Sequence, residues 1–507
     1  MKQALLSAKL LLMIVVLLLS QALGQASVDS LRQAALNDPQ NLDAWIELGN
    51  AYLEQDNFDL AAESFYEATS LDYRSGEAHF GMGLAEYGRG DYPAALFEFS
   101  EVSRLYPERF DGHFNRAVTL TKLLQPEEAV AAFQEAISQA KPEASKAQVI
   151  EAELGLAGQY KLLENYAAAA EAYSAALELD PENQETIFQR ADSLYQAGRG
   201  LEALADLSEL ESSTTDYRVS SLIADIYIQQ DQTEYALRSL ERAMRRLANS
   251  GDAKAQANIL VKLGILQRQL DREAEAMASF QRATTVDPNL WQAYYNLGLG
   301  YLDAEQPQNA LPYFEQARNL NPDSVEAYIA LASIYEQQGQ FAQAADAAEN
   351  AISRLEEDDP QILSLQALIG RTKYSQGDYQ TALEMFDEVL SSNADDANTQ
   401  LWAGLAAYYS ENYTEAVSYL EKAVQLDDSS VEAKANLGAA YFKEERYKDA
   451  AFVYQMILDE NPRDAEALYN LGLSLYAQGL IDEAKASWQE SGDLGYSLAK
   501  DALQQYY

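Results

Sequence analysis

Two histidines, His79 and His113, carry all the imidazole chemistry of this 507-residue sequence, and they stand 34 residues apart. A zinc site built on them would need further Cys, His or carboxylate ligands converging from elsewhere. There is no cysteine, so thiolate ligands and disulfides are excluded. Each histidine also takes the place that Trp45 and Tyr294 hold in their own segments. The spacing therefore reads as a repeat frame, with the two rings on adjacent helices, about one helix-packing distance apart. Carboxylates gather at Glu356-Glu357-Asp358-Asp359, Asp395-Asp396 and Asp427-Asp428. None has the alternating spacing, glycine and terminal glutamate of a calcium loop, so they read as solvated turns. No phosphate-binding loop, dinucleotide glycine fingerprint or nucleophile elbow is present. The expectation is a chain with no catalytic residues, no metal site and no cofactor.

The elements that would position any functional group are clearest in Trp291–Ser324. Tyr294, Leu297 and Tyr301 are spaced by three and four residues and share one helical face; Ala310, Phe314 and Ala317 do the same on a second helix. Gly298 removes a side chain where the second helix must come close. Pro322 ends that helix, because its ring removes a backbone donor and clashes one turn back. Such a pair cannot bury both its faces alone and needs neighbours of its own kind. Similar segments begin at Leu42, Gly76, Phe110, Ile150, Gln184, Tyr217, Ala257, Val325, Leu363, Ala397, Val431 and Ala465. With the first, that makes about thirteen, at a dominant period of 34 residues.

The recurring W-x2-LG-x2-Y…A-x3-F-x2-A…P frame resembles the tetratricopeptide repeat family over nearly the whole chain. The resemblance implies an all-α fold: a right-handed superhelical solenoid of about thirteen helix pairs, with a concave groove that in most members binds peptides or proteins. Leu207 and Ala348 stand where the frame has Phe, which leaves local packing there open. Val28–Asn41 reads as an N-terminal capping helix, with Leu31, Ala34 and Ala35 on one face. The repeats are assigned to residues 42–498, and 499–507 to a C-terminal capping segment built on Leu498, Ala499, Ala502 and Leu503. Extra residues at Ala144–Val149, Gly251–Gln256 and Asp359–Ile362 mark joints between three-pair blocks that start at Leu42, Ile150, Ala257 and Leu363.

Met1–Ala26 has Lys2 and Lys9, the apolar run Leu10–Leu19 and a small-residue end at Gly24-Gln25-Ala26. This is the three-part pattern of a secretory signal peptide, and the run is short of the roughly 20 residues that span a bilayer. The expected location is the periplasm or cell envelope of a bacterium, with secretion as the alternative. The formal charge of −44 disfavours direct nucleic-acid binding, which needs a basic stripe.

The resemblance also implies that the second, fifth, ninth and twelfth residues of each leading helix line the groove. Here those rows hold Phe80, Leu84, Tyr87, Phe114, Val118, Phe188, Tyr195, Tyr295 and Leu299, then Leu401, Leu405, Tyr408, Phe442, Tyr469 and Tyr476. These side chains either pack between neighbouring leading helices or form an aromatic binding track. Asn296, Asn436 and Asn470 lie one row off the positions of a carboxylate clamp, and Arg371 and Lys443 stand isolated. The expected ligand is an apolar or aromatic protein segment flanked by basic residues. The expected function is an interaction scaffold in the cell envelope; a structural spacer or surface-layer component, and a glycan-associated protein, are the alternatives.

Overall fold

A computed structural model describes residues 28–140, 145–248 and 251–506, with only the backbone of Tyr506. The expected leader, Met1–Ala26, lies outside the described residues, as do Ala144 at the first joint and Tyr507. Every regular element among the described residues is a helix. Thirteen leading–trailing pairs run from Leu42–Leu53 with Phe58–Leu71 to Ala465–Ala477 with Ile481–Asp493. Within each pair the two helices pack on one another, and within residues 42–247 and within residues 253–493 each trailing helix packs on the next leading one. The chain divides into two compact units, Met1–Asp252 and Ala253–Tyr507.

A close approach inside each pair sets the packing. A β-carbon on Gly298 would lie 2.7 Å from the ring of Phe314, which is fully buried. The same pairing recurs at Gly49 with Phe65, Gly438 with Tyr454 and Gly472 with Trp488. Phe65 is held from both sides, since a β-carbon on Gly81 in the next leading helix would also meet its ring, at 2.3 Å. Where the eighth residue is Ala, the facing side chain shrinks in several pairs: Ala191 faces Leu207 and Ala332 faces Ala348, all four with 0% exposure. Leu207 and Ala348, which depart from the aromatic pattern, are thus closed by side chains that fit. Burying each of the large rings is worth roughly 1.5–3 kcal/mol.

The turn inside each pair has one fixed conformation. Counted from the segment starts identified in the sequence, the fifteenth residue has a left-handed backbone in all thirteen pairs. Five of these are glycines, among them Gly90 (φ 83°); the other eight include Asp56, Leu124 (φ 57°), Glu164, Glu305 and Glu411. The count stays in register at the block starts because the extra residues there extend the leading helices backward. These helices begin at Lys146, Ala253 and Gln361, ahead of Ile150, Ala257 and Leu363. Ser145 and Gln148 close the first of them with a reciprocal capping box.

At the ends, Val28–Asn37 buries Ala35 with Val28 and Leu31 packed alongside, while Ala34 faces out. Ser497–Tyr506 lies on Ile481–Asp493 and buries Ala499 and Ala502 beside Trp488, with Leu503 partly covered. Leu498 is 49% exposed, so it does not belong to that seam.

Two expectations follow. Phe314→Leu recreates the facing residue of the Ala191–Leu207 pair, so Gly298→Ala will be less costly in that background than in the wild type. A double-mutant cycle by denaturant unfolding should give a coupling of at least ~0.5 kcal/mol. A left-handed leucine costs about 1–2 kcal/mol, partly offset by the larger unfolded-state freedom of glycine. Leu124→Gly should therefore raise the unfolding midpoint, and Gly90→Leu should lower it.

Candidate functional site

The two histidines are held alike. His79, 2% exposed, places Nδ1 2.6 Å from Glu98 Oε2 and Nε2 2.8 Å from the Tyr73 carbonyl oxygen. His113 repeats this with Glu135 Oε2 at 3.0 Å and the Pro107 carbonyl at 2.9 Å. Both partners on each ring are acceptors, and for His79 full satisfaction requires an imidazolium with two N–H donors. At the equivalent place Trp45 Nε1 donates to the Pro39 carbonyl (3.1 Å) and Gln400 Nε2 to that of Ala394 (2.9 Å). The fourth residue of these leading helices thus acts as a rung, tying its helix to the turn that precedes it.

Burial pushes the pKa of His79 down, but hydrogen bonding to Glu98 and the Tyr73 carbonyl, with the charges of Glu98 and Glu101, outweighs it and the net shift is upward. The stabilisation is complete below the unfolded-state value of about 6.5 and is lost as pH rises through the higher folded value.

The expected groove rows divide by depth. Phe80, Leu84, Phe114, Leu401 and Leu405 are 6–9% exposed and belong to the core. Phe80 meets Phe99 edge-on at 5.8 Å and Phe114 meets Phe133 at 6.0 Å, each across its own helix pair. Tyr295 makes the same contact with Phe314 at 5.5 Å but remains half-buried. Phe188, Leu299, Val118 and Tyr469 are also half-buried, with Tyr469 against Tyr496. The twelfth-position residues Tyr87, Tyr195, Tyr408, Phe442 and Tyr476 are half-buried too. Burial pushes the Tyr87 hydroxyl up to about 12, and that oxygen lacks a hydrogen-bond partner.

A second aromatic row, not anticipated, faces the twelfth position. The first residue of the trailing helix supplies it: Tyr87 meets Tyr92, Tyr374 meets Tyr379, Tyr408 meets Tyr413 and Phe442 meets Tyr447, all at 5.2–5.5 Å and 63–66°. Trp402 and Tyr409 extend this in the C-terminal unit by edge contacts with Tyr374, and Tyr409 is 51% exposed. The signal in the sequence is an aromatic five residues after the twelfth position, on the other helix of the pair.

Three of the polar residues near these rows are engaged. Asn296 and Asn436 donate their amides to carbonyls one turn back, on Gln292 and Glu432. Arg371 is paired with Glu336 through two hydrogen bonds (2.8 and 3.2 Å). No group of three or more His, Cys, Asp or Glu suited to a metal ion occurs among the described residues, and no helix there is long and apolar enough to cross a membrane.

Family profiles described as tetratricopeptide repeat match residues 12–75, 80–145, 163–216, 257–290, 301–369 and 435–490. The chain is a tetratricopeptide repeat protein. A profile described as anaphase-promoting complex, cyclosome, subunit 3 matches this TPR chain at 375–457. Human protein O-mannosyl-transferase TMTC3 is 25% identical over 304 residues, which cover 57% of the TPR chain and 32% of the relative. The BBSome complex member BBS4 homolog of Drosophila melanogaster is 23% identical over 291 residues, covering 55% and 57%. The chain thus spans less than two thirds of either relative. Among solved structures, the APC/C hetero-tetramer Cut9-Hcn1 aligns at 17% identity and TM-score 0.35, over 91% of this chain and 96% of that one. YrrB, described as a TPR protein with an unusual peptide-binding site, aligns at 20% identity and TM-score 0.33, over 37% and 95%. The TPR architecture supports a protein-interaction scaffold.

Replacing His79 with Gln should remove the titrating part of its rung. The wild-type advantage over His79→Gln in unfolding free energy should shrink as pH rises from 6 to 8.5 in parallel denaturant titrations; an advantage that stays constant would remove the imidazolium from the account.

Proposed function

We propose that this chain is an exported, non-catalytic adaptor that holds a protein or peptide segment of a cell-envelope complex along its half-buried aromatic rows. The observation that carries this reading is the recurring ring pair between the twelfth leading-helix residue and the start of the trailing helix. It presents partly open aromatic faces on three successive pairs of the C-terminal unit and on one of the N-terminal unit, and such faces give large contact area at small entropic cost. The charge of −44 favours basic flanks on the partner. The non-catalytic reading rests on the use of polar side chains: both imidazoles and Arg371 are consumed by intramolecular partners. The relationship to TMTC3 reaches 32% of that protein and carries no activity to this chain. The apolar leader supports export, and the absence of cysteine suits a bacterial envelope.

A spacer role is favoured by one observation, the burial of Phe80, Leu84, Phe114, Leu401 and Leu405, which makes those groove positions structural. Crosslinking in intact cells of the native host, followed by mass spectrometry, separates the two. The adaptor reading expects one dominant partner whose yield falls severalfold in a Tyr408→Ala/Tyr469→Ala variant. Self-crosslinks alone, or partner capture indifferent to that variant, would overturn it.

A further inference from the structure

The middle pair of each three-pair block carries a recurring arrangement whose parts change from block to block. In the first block, the Arg109 guanidinium lies 5.4 Å from the centre of the Phe80 ring and is paired with Asp111 at 2.6 Å. In the second, Arg218 lies 4.7 Å over Phe188, paired with Asp216 at 2.6 Å and with Glu185 at 2.8 Å. Phe80 and Phe188 are both the fifth residue of their leading helix. In each case the arginine and its aspartate flank the start of the next leading helix, in opposite order. Glu77 occupies the place of Glu185, and its charge acts on Arg109. Each site is therefore an aromatic face and carboxylates, filled by the chain's own guanidinium.

In the third block the ring is Tyr295 and the arginine is gone. Ser324 and Glu326 stand where Asp216 and Arg218 stood. Tyr295 remains half-buried, edge-on to Phe314 and Trp291. Four guanidiniums lie over rings among the described residues, those of Arg109, Arg218, Arg354 and Arg446, and none covers Tyr295. Glu326 is exposed, takes one hydrogen bond from Ser324 (2.9 Å), and its charge, like burial, raises the Tyr295 hydroxyl. Gln292 stands where Glu185 accepts from Arg218, and its side-chain oxygen is a buried acceptor without a hydrogen-bond partner. Arg268, from the preceding pair, reaches Asn296 at 3.4 Å and acts on the Tyr295 hydroxyl. In the fourth block the ring itself is missing: Leu401 is buried and Glu432 alone persists.

We propose that Tyr295, Gln292 and Glu326 form a receptor for an arginine side chain of a partner protein, taking the guanidinium that the first two blocks supply from within. The assignment rests on the scaffold reading above and names the residue type that the partner inserts. A planar guanidinium stacks on the Tyr295 face while its N–H groups reach the Glu326 carboxylate and the orphaned Gln292 oxygen; an ammonium offers neither the plane nor the fork. Such a side chain satisfies the one acceptor in the trio that the free protein leaves without a partner.

Fluorescein-labelled tetra-arginine and tetra-lysine, titrated against the full chain by anisotropy, provide the test. Ser324→Asp/Glu326→Arg rebuilds the second block's internal pair and should fill the site, weakening tetra-arginine binding about tenfold. Glu357→Gln makes the same net charge change at a distant turn and should have little effect. Tyr295→Leu, with no change of charge, should weaken tetra-arginine severalfold and leave tetra-lysine unmoved. Thermal unfolding checks that each variant is folded, and Glu326→Gln on the surface serves as a second probe with the same expected loss. Equal losses for the rebuilt and Glu357→Gln variants, or indifference to Tyr295→Leu, would overturn the assignment. Undiminished partner crosslinking in cells by the Ser324→Asp/Glu326→Arg variant would overturn it too, while leaving the scaffold reading in place.

Discussion

The distance between the two helices of a pair is set by a residue with almost no side chain facing one that fills the gap. Gly298 lets the leading helix settle onto Phe314, and Gly49 does the same for Phe65. Protein interiors pack like crystals, so an added methyl at such a contact forces a displacement of the ring or of a helix. The rest follows from this separation. The buried ring is deep enough to touch the next leading helix, as Phe65 does at Gly81, and so the contact within a pair also sets the contact between pairs.

Each leading helix then has a division of labour around its circumference. The fourth residue reaches back to the preceding turn, as Trp45, His79, His113 and Gln400 do. The fifth and ninth fill the wedge between neighbouring helices. In four pairs the twelfth reaches forward to a ring at the start of the trailing helix. Where the twelfth residue is aromatic, its ring is only half-buried. On the proposed adaptor reading, a partner would meet the edge of these pairs near their internal turns, together with those fifth-position rings that the wedge fails to cover, Tyr295 among them.

The helix pairs, their number and the role of Gly298 were legible in the sequence, because a 34-residue period repeated over most of the chain leaves few competing readings. The depth of the fifth and ninth positions was not. Periodicity assigns Phe80 and Leu405 to a face, but that face belongs partly to a wedge whose depth depends on both neighbouring helices. The second aromatic row escaped because Tyr92 and Tyr379 sit at trailing-helix starts, where a half-buried first-turn residue carries no helical pattern. The left-handed turn residue was invisible wherever it was not glycine, since an aspartate or glutamate at a turn looks like ordinary solvated surface. The cation-covered rings needed coordinates, because Arg109 and Arg218 arrive from opposite sides of their aspartates.

Seven of the left-handed turn residues are acids: Asp56, Glu164 and Asp231 in the N-terminal unit, and Asp271, Glu305, Glu411 and Glu445 in the C-terminal one. In the C-terminal unit they form two couples on successive pairs, Asp271 with Glu305 and Glu411 with Glu445, while in the N-terminal unit they stand two or three pairs apart. Helices pack about 8–10 Å apart, comparable with the Debye length of about 10 Å at 0.1 M salt. The two acids of each couple repel on that scale, and salt weakens the repulsion.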